Sequence, residues 1–154
     1  MIVVELTDES ATAALAQRVA MQAQAGDVIA LKGDLGSGKT SFARAFIRAR
    51  GSGGEAVPSP TFTLVQVYDL PCAPVWHFDL YRLRRAEEAW ELGIEEAFVE
   101  AISLIEWPEQ LGAILPADRL EIALLPGATP EARRAAIESG PSWAARLPAI
   151  AAQA

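Results

Sequence analysis

One octapeptide in this sequence has the residue types and spacing of a polyphosphate-binding loop. Residues Gly33–Thr40, Gly-Asp-Leu-Gly-Ser-Gly-Lys-Thr, fit the pattern G-x-x-x-x-G-K-[ST] at every fixed position. Glycines let consecutive backbone N–H groups approach closely spaced negative charges, because no side chain stands in the way. Lys39 is expected to reach the β- and γ-phosphates, and Thr40 to offer its hydroxyl to Mg²⁺. The motif therefore predicts a nucleoside triphosphate and Mg²⁺ as ligands.

The alternative interpretation of this octapeptide is a glycine-rich turn that contains a lysine by chance. A buried strand is predicted before the motif and a helix after it, which favours the phosphate loop. The chain has no asparagine, so the Asn-Lys-x-Asp motif common in guanine-selective proteins of this class cannot occur, and ATP or ADP is favoured. The residues expected around the nucleotide are Gly33, Asp34, Leu35, Gly36, Ser37, Gly38, Lys39, Thr40, Ser41 and Trp107.

A phosphate loop needs a second Mg²⁺ anchor, which is normally an acid at the carboxyl end of a buried strand. Glu106 directly follows the apolar run Ile102–Ile105. Ligands of an open α/β sheet lie beyond the carboxyl ends of its strands, so Glu106 is expected opposite Thr40, in direct contact or through water. A solvated acid at a strand end is the alternative interpretation.

A second dense polar cluster lies at residues 77–82, His-Phe-Asp-Leu-Tyr-Arg. On a strand, His77, Asp79 and Tyr81 share one face, and Phe78 and Leu80 share the opposite, core face. Asp79 is predicted to bind Mg²⁺ or orient water, and His77 to accept or donate a proton. A half-exposed hairpin face with ordinary polar residues is equally compatible with the pattern.

Thr61 follows the stiff segment Val57–Pro60, about twenty residues after the phosphate loop. Phosphate-loop proteins often carry a Thr or Ser that senses the γ-phosphate on a mobile segment in this region, so Thr61 is a candidate catalytic residue. Ordinary turn chemistry at the start of a strand is the alternative.

The remaining patterns predict the elements that must position these residues. Val28–Leu31 is a compact apolar run typical of a buried strand, and Lys39–Arg50 carries an apolar helical stripe. Strand, glycine loop and helix form the first unit of an open α/β fold. Further strands are predicted at 2–6, 61–68, 75–81, 102–105 and 120–125, and helices at 9–25, 85–92, 94–100 and 130–138.

These elements predict an α/β fold of the phosphate-loop NTPase type, with three layers, a central and mostly parallel sheet, and an antiparallel hairpin around residues 62–81. A single domain over residues 1–154 is expected, because two domains would each be small. The order of the Ala- and Pro-rich tail after about residue 140 is left open.

Composition narrows the class of protein further. A hydrophobic share of 51% and a charged share of 21% are typical of a globular chain. The net charge of −7 argues against autonomous nucleic-acid binding, which needs clustered Lys and Arg. One cysteine excludes an internal disulfide, and neither a signal peptide nor an apolar run of bilayer length is found. A cytoplasmic protein without membrane contact is expected.

Four motifs in order, Gly33–Thr40, Pro58–Leu64, His77–Arg82 and Ile105–Pro108, resemble those of the bacterial TsaE (YjeE) family. The resemblance implies an ATPase that supports formation of threonylcarbamoyladenosine at position 37 of ANN-decoding tRNAs. It implies the TsaB–TsaD complex as partner, TsaD most directly, and contact with tRNA only through partners.

The same resemblance implies roles for individual residues. Lys39 and Thr40 would bind nucleotide and Mg²⁺, Glu106 would help to hold Mg²⁺, and Asp79 would be needed for hydrolysis. Thr61 falls in the switch-like segment of the family, and Trp107 lies near the nucleotide.

Two other functions remain open from the sequence. A small-molecule kinase would need an acceptor pocket and a lid, for which the arginines at 82, 84 and 85 would have to serve. A nucleotide-binding interaction module would not require hydrolysis. For an ATPase, slow hydrolysis by the isolated chain is expected, because no glutamine or second arginine is clearly placed beside the γ-phosphate.

Overall fold

The computed structural model describes residues 1–60 and 63–151. The described strands are β1 (Ile2–Leu6), β2 (Val28–Lys32), β3 (Val65–Tyr68), β4 (Val75–Asp79), β5 (Ile102–Glu106), β6 (Leu120–Pro126) and β7 (Arg133–Ser139). The described helices are α1 (Glu9–Gln22), α2 (Lys39–Arg50), α3 (Glu88–Glu91), α4 (Ile94–Glu100) and α5 (Leu147–Ala151), with 3₁₀ helices at Pro108–Ile114 and Pro141–Arg146.

The strands form one mixed sheet in the order β1-β7-β6-β2-β5-β4-β3. The four central strands β6, β2, β5 and β4 run parallel, whereas β3 pairs antiparallel with β4 at one edge, and β7 pairs antiparallel with β6 and β1 at the other. The prediction of an α/β fold with a mostly parallel centre and an antiparallel hairpin is confirmed. The first hairpin strand is predicted from residue 61 and is described from Val65, whereas the second starts at Val75 as predicted and ends at Asp79 instead of Tyr81.

Alternate side chains of the central strands enter two separate cores. On β5, Leu104 packs with α1 and α2, and Ile105 packs with α3 and α4 on the opposite face. Parallel strands covered by helices on both faces give the continuous apolar runs seen in the sequence. The helices and the sheet thus form three layers, and the carboxyl ends of the parallel strands meet at one edge.

The prediction of a polar helix over Pro130–Glu138 is wrong. This segment contains β7, whose residues Ala135 and Ile137 are buried between the pairing partners β6 and β1. The segment is rich in Glu, Ala and Arg, which favour helices in isolation, but pairing with one strand on each side, β1 and β6, outweighs that local preference.

Residues 141–151 pack against the helical layer that contains α1. Trp143 and Ile150 are buried, and the guanidinium of Arg146 lies 3.7 Å from the ring centroid of Trp143. Arg146 also pairs with Asp27 at 2.7 Å, and the side chain of Arg18 donates to the carbonyl of Ile150 at 2.8 Å. No helix in the described ranges combines the length and apolar character needed to cross a bilayer.

Candidate functional site

The glycine loop Gly33–Gly38 connects the carboxyl end of β2 to α2. Gly33 has a φ of +147°, and a Cβ there would lie 2.4 Å from Ser37 Oγ and 2.8 Å from the carbonyl oxygen of Leu124. Gly38 is left-handed, with a φ of 104°, immediately before the first helical residue. Only glycine fits both conformations without strain, so the motif glycines are required by the path of the backbone.

Lys39 projects back into the loop, where it is 5% exposed. Its Nζ donates to the carbonyl oxygens of Gly33 and, at 2.9 Å, of Asp34, and it lies 4.1 Å from the ring centroid of Trp107. Burial lowers the pKa of the Lys39 ammonium, and nearby carboxylates, Glu106 foremost, partly raise it again. The two carbonyl groups that accept from Nζ carry no net charge, so the positive charge of Lys39 is available to bind a polyanion.

Glu106 lies directly against the start of α2. Parallel pairing of β2 and β5 puts Glu106 opposite Leu31, two residues before Gly33. The Thr40 hydroxyl donates to the Glu106 carboxylate, with distances of 3.0 and 3.2 Å to its two oxygens. The structure therefore brings together the two residues that are predicted to hold Mg²⁺.

A second carboxylate lies on the neighbouring strand. Asp79 is opposite Glu106 in the parallel register of β4 and β5, so both side chains point to the same face of the sheet. Asp79 is 6% exposed and accepts a hydrogen bond of 3.1 Å from the backbone N–H of Tyr81. Both carboxylates line the same cleft as Thr40 and Ser59.

His77 is fully buried and lies behind Glu106 rather than along the cleft. Its Nε2 is 2.6 Å from Glu106 Oε2. With a hydrogen on Nε2, the imidazole donates to this carboxylate and fixes its orientation, as in other carboxylate–histidine pairs near metal ligands. The predicted proton exchange by His77 would have to pass through Glu106. A half-exposed hairpin face does not describe His77 and Asp79.

Trp107 forms a wall of the cleft. Its backbone is left-handed, with a φ of 59°, directly after β5. This turn places the indole over Lys39 and 5.0 Å from the ring of Tyr81. Trp107 thus lines the cleft, and its place near a nucleotide stays a prediction.

The residues directly before the switch-like segment Pro58–Leu64 are bound by side chains of α2. Arg44 Nε donates to the carbonyl of Val57 at 2.9 Å, and Arg48 Nε donates to that of Glu55 at 3.2 Å. Ser59 lines the cleft, whereas Thr61 lies outside the described residues. The predicted role of Thr61 stays a prediction.

Arg133 is a site residue that sequence reasoning missed. Its guanidinium donates to the carbonyls of Gly36 and Ser37, both at 3.1 Å, from the start of β7. It belongs to no local motif, and only the pairing of β7 with β6 brings it to the loop. The sequence could have identified Arg133 as a site residue only if the segment around it had been predicted as a strand.

A second cavity continues from the cleft on the side of α1. The two cavities share the loop residues 36–38 and Ser41. The second is lined in addition by Asp8, Glu9, Thr12, Glu131 and Arg133. The N–H groups at the start of α2 therefore lie between the two cavities. The cleft suits phosphates and Mg²⁺, and the second cavity leaves space for other parts of a nucleotide.

The side chains in the cleft fit Mg²⁺. A hydroxyl, Thr40, and two carboxylates, Glu106 and Asp79, are hard oxygen ligands, and Mg²⁺ is usually bound by one or two carboxylates together with phosphates and waters. Across residues 1–60 and 63–151, no group of three or more His, Cys, Asp or Glu side chains is arranged to hold a metal by itself.

Comparisons with known proteins agree on one family. The family described as "Threonylcarbamoyl adenosine biosynthesis protein TsaE" matches residues 6–135. The chain is 40% identical over 119 residues to the tRNA threonylcarbamoyladenosine biosynthesis protein TsaE of Rickettsia bellii, covering 77% of this chain and 83% of that protein. It is 39% identical over 114 residues to the protein of the same name from Bacillus subtilis, covering 73% and 70%.

The crystal structure of YdiB from Bacillus subtilis superposes with a TM-score of 0.80 at 28% identity. The superposition covers 97% of this chain and 93% of that one. The predicted phosphate-loop NTPase-like fold is thereby confirmed.

Proposed function

The chain belongs to the TsaE family of tRNA threonylcarbamoyladenosine biosynthesis proteins, and we propose that within this pathway it is an ATPase that depends on a partner. It binds ATP with Mg²⁺ and hydrolyses it to ADP and phosphate. The observation that carries the proposal is the contact of Thr40 with Glu106 beside the inward-pointing Lys39.

Binding of the triphosphate is assigned to the glycine loop. Backbone N–H groups at the start of α2 and the ammonium of Lys39 attract the phosphates, and Ser41 follows where the α-phosphate is expected. From there the second cavity provides space for the nucleoside. The acceptors Glu9 and Glu131 line that cavity and suit the amino group of adenine.

The metal site is assigned to Thr40 and Glu106, with Asp79 as a further ligand or as the residue that orients water. When bound, Mg²⁺ would neutralise part of the negative charge of the phosphates. In the proposed reaction, the Asp79 carboxylate accepts the proton of the water that attacks the γ-phosphorus. His77 keeps the Glu106 carboxylate in its orientation.

Slow turnover by the isolated chain follows from what the cleft contains. None of the described residues that line it is an arginine or a glutamine, the side chains that usually stabilise or align the transition state of phosphoryl transfer. A partner that supplies such a side chain to the cleft would raise the rate. The TsaB–TsaD complex, through TsaD most directly, is the partner that the family implies.

The biological role proposed is support for formation of N6-threonylcarbamoyladenosine at position 37 of ANN-decoding tRNAs. With a net charge of −7, the chain is expected to reach tRNA through its partners. A cytoplasmic location fits this role.

The test is phosphate release from ATP by the purified chain, alone and with TsaB and TsaD. The proposal expects slow release alone and a clear increase with the pair, without any small-molecule acceptor. An Asp79→Asn variant in the same mixture controls for ATPase activity of the partners. Fast turnover by the isolated chain, or a requirement for a small acceptor as in a kinase, would contradict the proposal.

A further inference from the structure

Arg133 is bound by carbonyl oxygens from two parts of the chain. Its Nη1 donates to Pro130 at 2.7 Å and to Ala132 at 2.8 Å, within its own turn. Its Nε and Nη2 donate to Ser37 and Gly36, each at 3.1 Å. The turn at the start of β7 therefore fixes the orientation of the guanidinium that contacts the phosphate loop.

This contact sets the direction of peptide groups in the phosphate loop. The two carbonyls point outward to Arg133, and none of the described peptide bonds is cis. In a trans peptide the N–H points opposite to the C=O, so the N–H of Gly38 is directed away from Arg133. Gly38 immediately precedes α2, where N–H groups are free to bind an anion.

The charge of Arg133 is also available to an anion. Within the described part of the chain no carboxylate lies within ion-pair distance of its guanidinium, whereas the neighbouring Arg134 pairs with Glu5 at 2.8 Å. Arg133 also lines the second cavity, beside Ser37 and Gly38. The Arg133 guanidinium, whose hydrogen-bond partners are uncharged carbonyl groups, thus lies directly behind the phosphate loop.

We propose that Arg133 is a positioning residue for nucleotide binding, which holds the Ser37 carbonyl outward so that the N–H of Gly38 faces the phosphates. The contact with the Gly36 carbonyl supports the turn of the loop, in which the Ser37 N–H donates to the Asp34 carbonyl at 3.1 Å. This inference rests on the proposed function. Arginine suits the role because its planar fork binds several acceptors in a fixed geometry, which lysine cannot reproduce.

The test measures the Kd for MgATP by calorimetry and the steady-state constants with partners, for Arg133→Ala, Arg133→Lys and the control Arg134→Ala. Arg133→Ala is expected to raise Kd and KM about tenfold or more, with kcat nearly unchanged. Arg133→Lys is expected to weaken binding as well, since it keeps the charge but loses the fork. Arg134→Ala removes the same charge from the other face of β7 and should bind as the wild type.

A second readout separates positioning from general stability. Millimolar guanidinium is expected to restore part of the affinity of Arg133→Ala and to leave the wild type and Arg134→Ala unchanged. Wild-type affinity in Arg133→Ala or Arg133→Lys, or equal losses in Arg133→Ala and Arg134→Ala, would overturn the inference.

Folding of each variant is checked by thermal unfolding, and if Arg133→Ala does not fold, Arg133→Lys carries the test. A wild-type chain without affinity for ATP would refute the proposed function itself. Affinity in the wild type that persists in the Arg133 variants refutes only the role of Arg133.

Discussion

The hydroxyl of Thr40 and the carboxylate of Glu106 are 3.0 Å apart, although 66 positions separate them in the chain. Parallel pairing of β5 with β2 brings the carboxyl end of one strand beside the loop that leaves the other. The contact joins the phosphate loop to the acid that is proposed to hold its metal. Glu106 is in turn bound from behind by His77.

Replacing Glu106 by Gln tests the metal role of this carboxylate. The amide keeps the shape and an acceptor for Thr40 but loses the negative charge, so the Mg²⁺-dependent part of nucleotide affinity should fall at least about tenfold. Nucleotide binding in EDTA should be unchanged. Glu109→Gln, an exposed acid three residues on, is the control. Equal Mg²⁺ dependence in Glu106→Gln and the wild type would contradict the assignment.

Asp79→Asn separates hydrolysis from binding. The amide oxygen can still accept from Tyr81 N–H, so the fold and ATP affinity should persist, while phosphate release with partners should fall by roughly a hundredfold or more because water is no longer deprotonated. The matched control is Asp69→Asn, at an exposed position beside the same hairpin. Hydrolysis at the wild-type rate would show that Asp79 is not the catalytic acid–base group.

Gly33→Ala should destabilise the loop. The new Cβ would meet Ser37 Oγ at 2.4 Å and the Leu124 carbonyl at 2.8 Å, at a φ that L-residues rarely adopt. We expect a loss of about 1–3 kcal/mol in the free energy of unfolding, together with weaker ATP binding. Gly54→Ala, which meets nothing within 4 Å, is the control in denaturant titrations. Equal stability of the two variants would be inconsistent with the loop conformation described.

The hydrogen bonds of Asp8 predict that the free energy of unfolding depends on pH. Hydrogen bonds from the Ser10 hydroxyl and the Ala11 N–H, at 2.7 and 2.9 Å, hold the pKa of the Asp8 carboxyl below its ordinary value. Because the pKa of Asp8 is lower in the folded than in the unfolded chain, its charged carboxylate stabilises the fold at pH values above the unfolded-state pKa. This stabilisation is lost as the pH falls through the folded-state pKa. The stability difference between the wild type and Asp8→Ala should therefore shrink in the acid range. A difference that is constant with pH would argue against stabilisation of α1 by the charged Asp8 carboxylate, which precedes the helix and accepts from the Ala11 N–H.

The parts of the site that sequence could predict lie in short contiguous patterns. The glycine loop is defined by eight successive residues, and Glu106 ends an apolar run whose burial is evident from composition. The rule that ligands bind at the carboxyl ends of parallel strands then places Glu106 by the loop.

The parts that sequence could not predict depend on pairing between distant strands. Arg133 reaches the loop only because β7 is inserted between β1 and β6, and its sequence favours a helix locally. Likewise, alternation placed His77 and Asp79 on one face, but only the position of β4 between β3 and β5 shows that this face is buried.

The most direct test of the central claim compares the only two lysines of the chain, Lys39 and Lys32. Calorimetric titration with MgATP should show binding by the wild type and by Lys32→Ala, whose lysine lies on the surface beside Glu121. Lys39→Ala should show at least about a hundredfold weaker binding, since the buried cation of the loop is lost. Unchanged affinity in Lys39→Ala, with the variant folded, would contradict the assignment of the glycine loop as the triphosphate site.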